Sequence, residues 1–135
     1  MAGYSGTPLA KKLGFKPPVT VLTVDAPPGY RGWLEGLAPG VDFTSRMPKS
    51  VAAAHVFVTR ESDLRAQAAK LRRALDPAGF VWISWPKKSS GVATDVTEDT
   101  IRRVALPLGF VDIKVCAVSD TWSGLKLVIR KSERK

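Results

Sequence analysis

The chain has 135 residues, 44% of them apolar and 24% charged, which is enough to bury the core of a single domain without disulfides or metal. Its 21 Lys and Arg against 12 Asp and Glu give a formal charge of +9; this favours anionic partners without choosing among nucleic acid, nucleotide and acidic protein. One Cys and one His exclude an internal disulfide framework and argue against a zinc site, and no apolar run reaches bilayer length, so the expected location is a reducing cytoplasm.

In chain order, Ser5-Gly6-Thr7-Pro8 reads as a helix start with Thr7 as cap and Pro8 at the first helical position, and Gly14 is placed to end that helix. The β-branched run Val19 to Val24 predicts a first strand. A turn over Asp25-Ala26-Pro27-Pro28-Gly29 leads to a brief helix from about Tyr30 to Leu37, stopped by Pro39-Gly40. Val41 to Ser45 is a short second strand, and the segment after it is too short for a full helix. Ala54 to Thr59 reads as a third strand. Ser62 opens a helix whose apolar stripe is Leu64, Ala68, Leu71 and Leu75. Asp76-Pro77-Ala78-Gly79 ends that helix and feeds Phe80 to Trp85, apolar on both faces and so a central strand. After a loop from Pro86 to Val96, Thr97 caps a helix with Glu98 and Asp99 in its first turn and Ile101, Val104, Ala105 and Leu108 on its buried face. Two strands, Val111 to Val118 and Leu125 to Arg130, close the chain as an antiparallel pair, with the last placed as an exposed edge.

Alternating strands and helices predict an α/β, Rossmann-like, three-layer domain over residues 1–130, with a mostly parallel sheet and a C-terminal antiparallel hairpin. Residues 131–135 are expected to be a flexible basic tail.

Leu75-Asp76-Pro77-Ala78-Gly79-Phe80-Val81 and Leu108-Gly109-Phe110-Val111-Asp112-Ile113, in this order of elements, resemble the second half of a class I S-adenosylmethionine methyltransferase. The resemblance implies a cofactor site at a glycine-rich turn after the first strand and an acidic residue ending the second. This chain departs from both. Pro27 and Pro28 occupy the turn and offer no N–H, and Thr44-Ser45-Arg46 stands where the acid belongs, with Asp42 at the other end of the strand. The segment before Ala54 is also too short for the helix–strand–helix that a complete enzyme inserts there. No cofactor is therefore expected. A second resemblance is carried by Tyr4 to Leu9, Trp85-Pro86-Lys87-Lys88, Thr94-Asp95, Val115 to Val118 and Thr121 to Leu125. These segments are similar to a family of small bacterial proteins known only as a domain of unknown function, and they imply no activity.

In open α/β sheets, ligands bind beyond the carboxyl ends of the parallel strands. That rule selects Asp25 to Tyr30, Trp85 to Gly91 and Asp120 to Gly124. Lys87, Lys88, Ser89 and Ser90 have the charges and hydroxyls to hold a phosphate or carboxylate; the alternative is a solvated turn. Trp122 with Ser123 offers a stacking face or, alternatively, a cover for the sheet edge. Asp25 and Asp95 are candidate acid–base or hydroxyl-binding groups, or respectively a helix cap and a loop-stabilising side chain. His55 reads as a satisfied structural residue, Cys116 as core, and Trp33 and Trp82 as core. The expected function is a non-catalytic binding module for a small anionic or nucleotide-like ligand at the carboxyl edge. The alternative is a nucleic-acid or acidic-protein binder that uses a basic face of Arg65, Lys70, Arg72, Arg73, Arg102 and Arg103; a divergent methyltransferase-like enzyme comes third. The sequence assigns no catalytic residue and leaves the oligomeric state open.

Overall fold

The structure, a computed structural model, describes residues 8–134. The predicted cap Thr7 and the segment before it lie outside the described residues. The first helix, α1 (Leu9–Leu13), follows Pro8 in the cap position, one residue later than the sequence suggested, and Gly14 ends it in the left-handed conformation (φ 74°), where a side chain would be strained.

Six strands form one sheet: β1 (Val19–Val24), β2 (Val41–Thr44), β3 (Val51–Phe57), β4 (Leu75–Pro86), β5 (Phe110–Ala117) and β6 (Trp122–Ile129). Their order is β2-β1-β3-β4-β6-β5. β1 to β4 run parallel; β6 is antiparallel to both β4 and β5. The last strand is thus interior, and β5 is the edge, with Ile113 and Val115 55% and 52% exposed. The reason is burial. Leu125, Leu127 and Ile129 are enclosed, while the Lys126 ammonium turns over the Phe80 ring at 4.2 Å, so a lysine is accommodated inside the sheet.

One face carries α2 (Glu61–Ala74) and α3 (Glu98–Ala105). Leu64, Ala68 and Leu71 of α2 and Ile101 and Val104 of α3 pack on Leu22, Val56, Val81, Ile83 and Leu127. Each fully buried aliphatic side chain there stabilises by about 1.5–3 kcal/mol. Thr97 caps α3 reciprocally with Thr100: its hydroxyl accepts from the Thr100 N–H at 3.2 Å, and its own N–H donates to the Thr100 hydroxyl at 3.0 Å. The other layer is thin, consisting of α1 and a 3-10 turn, Tyr30–Leu34, where the sequence suggested a helix to Leu37. Leu13, Phe15, Tyr30 and Leu34 pack there on Val21, Ala53, Phe57 and Trp82.

Helix α2 stops at Ala74, so Leu75, expected as the fourth residue of the helical stripe, begins β4 instead. Pro77 accounts for this: it offers no N–H and disfavours helical geometry at Asp76. The pairing with β3 then jumps from Val51↔Leu75 to Ala53↔Phe80, so Asp76–Gly79 is an irregular stretch of strand. Only glycine fits at 79, because a Cβ would lie 2.8 Å from the Ala52 carbonyl oxygen and from Leu75 Cδ1.

The C-terminal residues fold back. Lys131–Glu133 form a 3-10 turn, Glu133 approaches Arg72 at 3.6 Å, and Arg134 Nε donates to the Ile129 carbonyl at 2.8 Å. Among the described residues, no helix is long and apolar enough to cross a membrane.

Candidate functional site

The strand order places β1 between β2 and β3, so the chain leaves β1 toward one side and β3 toward the other, and the switch point of the sheet falls between β1 and β3. Asp25 ends β1 with φ 56°, the only non-glycine residue with positive φ among those described. That conformation costs energy for an L-residue but is tolerated best by Asn and Asp. No side chain caps the 3-10 turn that follows, whose cap is Gly29, so Asp25 does not take the capping role weighed for it.

Beyond the carboxyl ends of β1 and β2 lies a cavity of about 520 Å³. Thr23, Phe43, Thr44 and Ser45 come from the two strand ends, and Ala26, Pro27, Gly29, Tyr30, Arg31 and Gly32 from the turn. Arg31 is its one charged lining residue, and the guanidinium lies over the Phe43 ring at 4.9 Å, where stacking keeps its plane and its donors presented. The lining contains no carboxylate to repel an anion.

Beneath the cavity, Tyr30 anchors the turn to the core. Its hydroxyl shares a 2.8 Å hydrogen bond with His55 Nδ1, and His55 Nε2 shares one of 2.7 Å with the Ser84 hydroxyl. His55 and Ser84 are fully enclosed. The imidazole stacks on Phe57 at 4.4 Å and meets Tyr30 edge-on at 5.2 Å. Because each hydroxyl can donate or accept, either neutral tautomer is satisfied. Burial drives the imidazole pKa down to about 3 and raises the Tyr30 phenol above its ordinary value, so both stay neutral. The group is a structural strut, as the sequence suggested for His55.

The other predicted site residues sit farther along the same edge of the sheet. Pro86 pairs with Trp122, and the Lys87 N–H donates to the Thr121 carbonyl at 2.7 Å, bringing the lysine loop beside the hairpin. Lys88 and Ser89 are exposed. The Ser90 hydroxyl donates to the Lys87 carbonyl at 2.6 Å and accepts from the Val92 N–H at 3.2 Å, so it tightens the loop. Trp122 opens β6 and meets Phe57 edge-on at 5.0 Å, and Ser123 pairs with Trp85. None of these residues lines the cavity at β1 and β2. Cys116 is half-buried, and burial raises its thiol pKa against the opposing pull of Lys12 and Lys114.

Asp95 works locally. Its carboxylate accepts from the Glu61 N–H at 2.6 Å, capping α2 from a loop 34 positions away, while Thr94 ties the same loop to the Thr59 carbonyl at 2.7 Å. Removing a cap of this kind costs about 1 kcal/mol. Asp95→Ala is expected to lower stability by that amount in urea denaturation, with Asp95→Asn retaining most of it.

The basic helix faces are mostly internally paired. Arg65 and Arg103 both reach Glu61, at 2.8 and 2.7 Å. Arg102 binds Asp112 at 3.0 Å and also Glu98, and Arg72 reaches Glu133. Lys70 and Arg73 lie elsewhere, on the rim of a separate cavity.

Sequence reasoning singled out the turn from Asp25 to Tyr30 but missed Arg31, Phe43 and Thr44. The available signal was a lone arginine directly after the turn, together with hydroxyl residues ending the second strand.

No family model and no curated protein matches the chain. Its likeness to solved structures is in fold. A methyltransferase dependent on S-adenosylmethionine from Aquifex aeolicus superposes with a TM-score of 0.66 at 14% identity, covering 90% of this chain and 87% of the other. A protein described as a type 11 methyltransferase from Sulfolobus solfataricus gives 0.61 at 18%, covering 87% and 86%. The fibrillarin pre-rRNA processing protein of Methanococcus jannaschii gives 0.56 at 13%, covering 94% and 74%. The chain therefore has the methyltransferase-like Rossmann fold. Its cavity is a poor fit to the cofactor of that fold. Arg31, its one charged lining residue, would repel a cationic sulfonium, and no carboxylate among the lining residues is present to hold a ribose.

Proposed function

We propose that this chain is a non-catalytic module that binds a small, nucleotide-like anion at the carboxyl edge of its sheet. The observation that carries this reading is the cavity at β1 and β2, with Arg31 stacked on Phe43 beside the hydroxyls of Thr23, Thr44 and Ser45. The arginine supplies the charge for a phosphate, the aromatic ring an edge for a base, and the hydroxyls donors and acceptors for a sugar. Its volume falls within the range of ordinary ligand sites. Tyr30 lines the cavity, but its hydroxyl is bonded to the enclosed His55 and both groups are held neutral. The reading includes the small bacterial family that the sequence resembles: its segments Trp85-Pro86-Lys87-Lys88 and Thr121 to Leu125 are neighbours at this edge.

The test is thermal unfolding with adenosine monophosphate, adenosine, inorganic phosphate and S-adenosylmethionine. A nucleotide at a hundred times its Kd is expected to add about 2.7 kcal/mol, and Arg31→Ala to weaken its binding about tenfold or more, as loss of a charge-assisted hydrogen bond does. Lys87→Ala/Lys88→Ala alongside reports whether the lysine loop contributes. Equal stabilisation of wild type and Arg31→Ala by the nucleotide removes the site. A larger shift with S-adenosylmethionine than with any nucleotide makes the protein a cofactor binder.

A further inference from the structure

A second cavity, of about 600 Å³, lies on the opposite face of β1. Strand alternation separates the two: Thr23 turns toward the first cavity, Leu22 and Val24 toward the second. The second exists because of a short crossover. β2 and β3 are parallel and flank β1, with Thr44 level with Leu22 and Ala53 level with Val21, so the chain must cross over β1 and return about 10 Å along it at strand rise. Residues 45–50 alone make that return, with no helix among them. So short a strap covers less of the sheet than a helix does, and a trough remains between the strap and α2.

The trough has an apolar floor and cations on both walls. Leu22 and Val24 form its floor, and Met47 on the strap is 43% exposed beside them. Lys49 on the strap and Lys70 and Arg73 on α2 supply the charge, and no carboxylate lines it. Lys70 and Arg73 are three positions apart on one helix, a spacing at which like charges repel. Among the described residues, none of these three cations is in an ion pair, whereas Arg65, Arg72, Arg102 and Arg103 all are. Asp76, the nearest carboxylate in sequence to Arg73, is bonded to the Ser50 hydroxyl.

We propose that this trough binds a phosphomonoester carrying an apolar group, with the phosphate held by Lys49, Lys70 and Arg73 and the apolar part laid against Leu22, Val24 and Met47. A phosphomonoester carries about −1.5 to −2 charge at neutral pH, enough to engage several cations at once, and the volume suits a ligand of that size. The site is independent of the nucleotide reading, since the two cavities share only Ser45 among their lining residues.

Calorimetric titration with octyl phosphate tests it, using the wild type, Lys70→Ala/Arg73→Ala and Arg31→Ala. Saturable binding is expected in the wild type, weakened about tenfold or more in the double variant and unchanged in Arg31→Ala. Inorganic phosphate is expected to bind about tenfold or more weakly than octyl phosphate, because loss of the octyl contacts forfeits the apolar term. Lys70 and Arg73 are exposed, so their variant is expected to fold, which circular dichroism checks. Co-sedimentation of the wild type, but not the double variant, with vesicles of phosphatidylcholine and phosphatidic acid assigns the ligand to a membrane lipid; octyl phosphate binding without co-sedimentation assigns it to a soluble phosphomonoester. Absence of saturable octyl phosphate binding, equal affinity in the double variant, or equal affinity for inorganic phosphate overturns the proposal.

Discussion

Lowering the pH from 7 to 5 is expected to cost this protein about 2 kcal/mol of folding stability, through His55 alone. His55 is the single histidine of the chain, and burial lowers its pKa from the ordinary 6.5 to about 3. The folded state therefore keeps the imidazole neutral while the unfolded chain protonates it below 6.5. Between those values the unfolded state binds more protons, so stability falls as pH drops through 6.5 toward 3 and is insensitive to this group above 6.5. Each pH unit in that window is worth about 1.4 kcal/mol. Unfolded carboxylates titrate near 4, so the interval from 7 to 5 reads the histidine nearly alone. Urea denaturation at pH 7, 6 and 5 measures the slope, and His55→Gln should flatten it while lowering stability at every pH. A flat wild-type profile would mean that water reaches the imidazole in the folded state.

Trp82→Ala is expected to cost about 3–5 kcal/mol, the usual range for emptying a large aromatic site in a core. Trp82 on β4 is the largest fully enclosed side chain among the described residues. Its indole N–H donates to the Leu13 carbonyl at 2.9 Å, so the ring also holds α1 onto the sheet. The thin layer of α1 and the Tyr30 turn has few other anchors, and the loss should concentrate there. In a domain of this size the midpoint should fall by more than about 10 °C. Trp82→Phe keeps most of the volume but strands the Leu13 carbonyl, at about 1–3 kcal/mol. Hydrogen exchange should show α1 losing protection in both variants while α2 and α3 keep theirs; uniform loss across the fold would refute the separate role of that layer.

The elements most legible in the sequence are those made by near neighbours. The run Val19 to Val24 is a strand with the predicted bounds because β-branched side chains favour the extended backbone locally. Thr97 and Gly14 mark helix ends because a cap hydroxyl or a left-handed turn is a matter of a few residues. β3 begins three residues earlier than predicted, at Val51, because alanines carry little strand signal and pairing with β1 decides the matter. The position of β6 between β4 and β5 was illegible, since an antiparallel hairpin has the same local pattern whichever of its strands faces the sheet.

The candidate sites divide in the same way. The sequence by itself determined the α/β alternation, the turn after the first strand and the surplus of positive charge. Only the tertiary structure decided that Asp95 caps α2, that four of the predicted basic-face arginines are internally paired, and that Lys49, Lys70 and Arg73 meet across one trough. Backbone preference and capping act over a few bonds and leave their mark in consecutive residues. Burial and charge pairing act through space, and their partners are set by the order in which the strands assemble.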